Sequence, residues 1–183
     1  MRLRGVNHVD LCVLDYEESL QFYDRMFGRL GYASFTTGGT PYTATYYLAL
    51  PHSYIGIHPA GERYGERLSH KAHAPGIHHI ALWARNRREV NRFHDDFLVA
   101  EGIEVTEPPA EYAVYSPGYY AVFFLDPTGI RWELADIPFL PSLGEIARFR
   151  KAVKEIWRAH PEWKRHPVFE AWRKLPRGRR RGA

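Results

Sequence analysis

The feature that most constrains this chain is a repeat. Laid against itself at an offset of 71 residues, the sequence places His8-Val9-Asp10-Leu11 on His79-Ile80-Ala81-Leu82, Asp15 on Asn86, Phe22 on Phe93 and Gly31 on Gly102. One register thus aligns a strand, a helix start and a helix end. A period this long that occurs only twice describes two copies of a supersecondary module, because solenoid repeats are shorter and more numerous.

Both copies read the same way. Val9, Leu11 and Val13 alternate with His8, Asp10 and Cys12, the period of a strand with one apolar face. Asp15 follows as a helix cap with Glu18 three residues on, and Tyr16, Leu20, Tyr23, Phe27 and Leu30 recur at helical spacing up to Gly31. In the second copy Asn86 is the cap, Glu89 stands three residues on, and Val90, Phe93, Phe97 and Ala100 lead to Gly102. Strand-like runs then occupy 32–36, 43–50 and 54–58 in the first copy, and 104–107, 119–125 and 130–135 in the second. Asp126-Pro127-Thr128-Gly129 is a turn between the last two, with proline fixing one central φ and glycine accepting a positive one.

The expected fold is therefore α+β: two βαβββ modules, residues 1–59 and 76–137, joined by a linker over 60–75 that is rich in glycine, histidine and charge. Residues 138–183 form a separate helical C-terminal extension. Ile146, Phe149, Val153, Ile156 and Trp157 share one face of a helix over 143–159, and Val168, Phe169, Trp172 and Leu175 suggest a second, shorter one. Pro161 and Pro167 break the pattern, and Arg177 to Arg181 form a frayed basic end.

Charge divides at the same place. The net +4 of the 183 residues combines an extension carrying 13 Lys and Arg against 4 Asp and Glu with a body carrying 12 against 17. The body is mildly acidic, so a search for its function separates it from its tail. Clustered arginine engages phosphate, but a solvated terminus beside an amphipathic helix explains the tail more simply, and nucleic acid is not an expected partner. With one cysteine, Cys12, the chain forms no internal disulfide, and MRLRGVNHVDL lacks the long apolar stretch of a signal peptide or membrane span. A cytoplasmic protein without a membrane partner is the expectation.

Chemistry concentrates on one sheet face. His8 lies opposite the apolar face of Val9, Leu11 and Val13, His79 lies opposite that of Ile80 and Leu82, and Glu133 sits between Trp132 and Leu134. Imidazole nitrogen and carboxylate oxygen suit a divalent first-row metal, and three such ligands leave positions open for substrate or water. The repeat puts the two histidines at equivalent positions of duplicated modules.

In these motifs the chain resembles the vicinal oxygen chelate superfamily, which includes glyoxalase I, extradiol dioxygenases, fosfomycin-resistance enzymes, epimerases and bleomycin-binding proteins. The resemblance covers about residues 3–137 and rests on Asn7-His8-Val9, on Gly76-Ile77-His78-His79-Ile80-Ala81, and on the final hairpin from Pro117 through Asp126-Pro127-Thr128-Gly129 to Trp132-Glu133-Leu134. It implies that the modules form a cup-shaped mixed sheet and that His8, His79 and Glu133 hold a divalent ion, with Fe, Mn, Zn, Ni and Co all admissible. The ion would chelate vicinal oxygens of a small-molecule substrate. The alternative within the superfamily is a metal-free antibiotic-binding protein of the bleomycin-resistance type.

The resemblance also implies a fourth position near Gly56-Ile57-His58, where glyoxalase I members carry a proton-transferring glutamate. Here the position offers Gly56, with His58 two residues on, so a three-ligand site is implied. Members often pair modules across a homodimer, and one is expected here, with the ligands drawn either from one chain or from two. Further candidates are Tyr115, Tyr119 and Tyr120 as substrate-cup phenols and His58 as an additional ligand. Alternation turns His78 toward the side of Ile80 and Leu82, a structural position.

Overall fold

The computed structural model describes residues 8–36, 44–48, 53–61, 65–68 and 77–161. Along the chain the elements are β1 (His8–Val13), α1 (Tyr16–Arg29), β2 (Ala33–Thr36), β3 (Ala44–Leu48), β4 (Ser53–Pro59), β5 (Ile80–Trp83), α2 (Arg87–Phe93), β6 (Val105–Glu111), β7 (Tyr120–Leu125), β8 (Arg131–Asp136) and α3 (Leu143–Ala159). The order βαβββ thus occurs twice, and the 143–159 helix closes the described chain. The linker between modules is described only in part. The second extension helix, Pro167 and the basic end lie outside the described residues.

Cap chemistry places the helices. Asp15 and Asn86 hold extended backbone and their side chains accept from the N–H of Glu18 and Glu89, while Ser142 and Glu145 complete a reciprocal capping box at α3. Gly31 and Gly102 stop α1 and the second helix in the left-handed region, at φ 82° and 65°. The second helix departs from the sequence expectation over its last six residues. His94–Val99 is π-helical, and the wider i to i+5 turn brings Leu98 into line with Phe93, so Phe93, Phe97 and Leu98 are all buried.

Each module builds one four-stranded sheet, in the orders β1-β4-β3-β2 and β5-β8-β7-β6. β1 runs parallel to β4, pairing His8 with Tyr54, Asp10 with Gly56 and Cys12 with His58. β5 runs parallel to β8, pairing Ala81 with Glu133. β1 and β5, the strands that carry or adjoin the two histidines, are therefore each an edge of their sheet. β6 runs past its expected end through Pro108 and Pro109 to Glu111. It too is an edge strand, so of the two consecutive prolines the one whose nitrogen faces the outer side breaks no ladder.

The core lies between the modules. Phe22, Tyr23, Met26 and Phe27 of α1 are buried, and their rings meet the second module: Phe22 against Phe97 at 6.0 Å, Tyr23 and Phe27 edge-on to Trp132 at 5.8 and 5.7 Å. Polar contacts join the same surfaces. The Tyr23 hydroxyl donates to Asp126, and the Leu14 N–H donates to Thr128 Oγ1 at 3.1 Å.

By contacts the chain divides into two compact units, 1–110 with 121–135, and 111–120 with 136–183. The β6–β7 loop thus groups with the extension rather than with the sheet it connects. Arg148 Nε donates to Glu111 at 2.8 Å, and Gly118, at φ 77°, leaves no room for a Cβ beside Pro138 and Glu145. Among the described residues no helix is long and apolar enough to cross a membrane.

Candidate functional site

His79 stands just before β5, and Glu133 lies in the middle of β8. Parallel pairing of the two strands brings His79 Nε2 to 3.1 Å from Glu133 Oε2. Trp132 and Leu134 are fully buried on either side of Glu133, which is itself 1% exposed. A carboxylate buried to that degree requires a partner, and the imidazole is one.

Burial pushes the His79 pKa below its ordinary value; Glu133 opposes that shift, and His78 and Arg131 add to it. The ring is accordingly neutral at neutral pH, the form that ligates metals. Its orientation is held from two further sides. Phe123 meets it edge to face at 6.0 Å, and His78 Nδ1 is 2.7 Å from His79 Nδ1. Arg131 lies over the Phe123 ring, 4.2 Å from its centroid, and pairs with Glu107.

His78 does not follow strand alternation. β5 begins only at Ile80, so the backbone at His78 is not bound to the pleat, and its exposed ring turns to its neighbour instead of to the side of Ile80 and Leu82.

His8 has other company. Its ring stacks on Tyr54 with 4.5 Å between centroids and 4° between planes. Its Nε2 is 3.6 Å from Asp10 Oδ2, and His58 Nε2 is 3.6 Å from Asp10 Oδ1. Three polar side chains of the first module thus share one face of β1 and β4. Among the described residues, however, no three His, Cys, Asp or Glu side chains converge closely enough in this chain to hold an ion. The structure brings together His79 and Glu133, and sets His8 with Asp10 and His58.

The tyrosines lie in the second compact unit. Tyr112 and Tyr115 stack at 5.7 Å, and Tyr119 meets Tyr115 edge-on at 5.4 Å; Tyr120 opens β7. Cys12 is an exposed free thiol. With Leu14, Ala60, Leu68 and Thr128 it lines a mainly apolar cavity of about 470 Å³.

Sequence reasoning passed over Asp10, Phe123 and Arg131. For Asp10 a signal existed: it stands two residues after His8 and so on the same strand face. Phe123 and Arg131 gave none, because their approach to His79 depends on strand pairings that alternation does not specify.

Comparison with known proteins adds to this geometry. The model of the Glyoxalase/Bleomycin resistance protein/Dioxygenase superfamily matches residues 5–134. No curated protein matches the chain. Among solved structures, a candidate glyoxalase from Bacillus halodurans is 25% identical, with a TM-score of 0.59 over 72% of this chain and 95% of that one. A glyoxalase/dioxygenase from Nostoc punctiforme has 18% identity and a TM-score of 0.58 over 74% and 92%. The fosfomycin resistance protein FosX from Listeria monocytogenes has 19% identity and a TM-score of 0.53 over 79% and 98%. A glutamate-to-glutamine variant of that protein was solved with Mn(II) and 1S,2S-dihydroxypropylphosphonic acid.

Proposed function

This chain belongs to the Glyoxalase/Bleomycin resistance protein/Dioxygenase superfamily, and from that premise we propose that it is a divalent-metal-dependent enzyme acting on a small molecule through two adjacent oxygens. The observation that carries this reading is the 3.1 Å approach of a neutral imidazole, His79, to the buried carboxylate of Glu133. One nitrogen and one oxygen donor, already gathered, fit a borderline divalent ion such as Fe, Mn, Zn, Ni or Co, which would replace the proton between them.

His8 is the third donor, supplied by a second copy of the chain in a homodimer. Two features support this: the three side chains do not converge within one chain, and among the described residues the strands at both histidines are edges of their sheets. A bound ion supplies Lewis acidity that stabilises negative charge developing on a substrate oxygen. His79 and Glu133 fix where that charge is met, Phe123 holds the His79 ring in place, and Arg131 adds positive potential beside it. The FosX variant was solved with Mn(II) and a vicinal diol; diols, epoxides, catechols and α-keto thiol adducts are the substrates to screen.

Elemental analysis of protein purified without chelator, alongside His8→Ala, His79→Ala and Glu133→Gln, tests the reading. Stoichiometric metal in the parent and its loss in all three variants is the expected result. A parent that takes up none of the five ions when they are supplied overturns it, and the metal-free binding alternative, for which the apolar cavity beside Cys12 provides room, then takes its place.

A further inference from the structure

Gly56 faces Asp10 across the parallel β1–β4 pair. A Cβ at position 56 would stand 1.8 Å from Asp10 Oδ1 and 3.0 Å from its Cγ, so the Asp10 carboxylate fills the volume that any side chain on β4 would take. Its two oxygens each face an imidazole, Oδ2 toward His8 Nε2 and Oδ1 toward His58 Nε2, at 3.6 Å in both cases. That separation is too long for a hydrogen bond. The geometry points to Asp10 as a ligand of the same ion as His8, supplied from β1 over the bare backbone of Gly56. This inference rests on the proposed metal-dependent function.

Three observations carry it. First, donors that each lie about 2.1 Å from one ion stand roughly 3.0–3.4 Å apart at octahedral or tetrahedral angles, so the 3.6 Å separation closes to a shared ion with a movement of a few tenths of an ångström. Second, a carboxylate that only orients a ligating histidine meets the ring nitrogen turned away from the metal. Asp10 faces Nε2 of both rings and meets no Nδ1 in these two contacts. Third, the parts are held in place: the His8 ring lies flat on Tyr54, and His58 stands on the far side of the carboxylate as a positioning residue. The side chains of His8 and Asp10 are 43% and 44% exposed, open on the face where a second copy would arrive.

The pairing of a carboxylate on one strand with a glycine on the next also answers the question raised by Gly56. A carboxylate is present at that place; a different strand delivers it.

The test is a titration of metal-free, full-length protein with Mn(II), with free Mn(II) followed by electron paramagnetic resonance and folding checked by circular dichroism. Asp10→Asn keeps the shape and removes the charge, and should weaken Mn(II) binding by at least about tenfold, the lower end of what losing even an outer partner costs. Gly56→Ala should do the same by displacing the carboxylate, and should add no further loss in the Asp10→Asn background. Unchanged affinity in Asp10→Asn, in a protein whose Mn(II) binding is abolished by His79→Ala, overturns the inference and leaves the proposed function standing. A further loss from Gly56→Ala on top of Asp10→Asn also overturns it. A parent that binds no Mn(II) removes the underlying reading as well.

Discussion

Asp126 shows how burial and hydrogen bonding compete at a single residue. It accepts from the Tyr23 hydroxyl and, at 2.7 Å, from the Ile130 N–H; both favour the charged form. Burial outweighs them and raises its pKa from 3.8 to about 6. The folded protein therefore retains a proton that the unfolded chain releases between those values. Asp126 contributes its full stabilisation below the lower value and loses it as pH rises through the upper one. Urea denaturation at about pH 4 and about pH 7 should show the parent losing on the order of 2–3 kcal/mol relative to Asp126→Asn across that window. Tyr23→Phe should cost roughly 1–3 kcal/mol at neutral pH. The loss should be smaller in acid, where the carboxyl is already neutral. The sequence identified Asp126 as part of a turn, since turn chemistry is local. Its role as a clamp was illegible, because Tyr23 lies 103 positions away.

At the scale of elements, what was legible followed how local each signal is. Alternation in β1, the caps at Asp15 and Asn86, and the bounds of α3 depend on residues within one or two turns of each other, and the structure reproduces them; the capping box at Ser142 is equally local and went unread. Replacing any one of the three caps with alanine should lower stability by about 1 kcal/mol, measured as a shift in the urea midpoint at unchanged slope. The π-helical end of the second helix was not legible, because the choice between i+4 and i+5 bonding is made by the core that Leu98 enters and not by the helix itself. Strand pairing was equally hidden. Periodicity showed that His8 and Glu133 avoid the apolar face of their strands, but not that β1 pairs with β4 and β5 with β8. That pairing is what groups His8 with Asp10 and His58, and His79 with Glu133.

Across the whole molecule, the helix of the first module also packs against the second. Tyr23 and Phe27 of α1 rest on Trp132 of the second module, and β1 and β5 are left at the sheet edges. Subunit mixing distinguishes a site shared between chains from one contained in a single chain. Co-expressed His8→Ala and His79→Ala chains should form a heterodimer that recovers metal at one of its two sites, because one site combines both intact histidines. A site within one chain would recover none. In the proposed site shared across the β1 and β5 edges, occupancy would follow mass action. An ion held by two copies binds the pair and not the single chain, so metal loading and association reinforce one another. Dilution should release metal, added metal should drive pairing at lower protein concentration, and the apparent metal affinity of this protein should depend on how much of it is present.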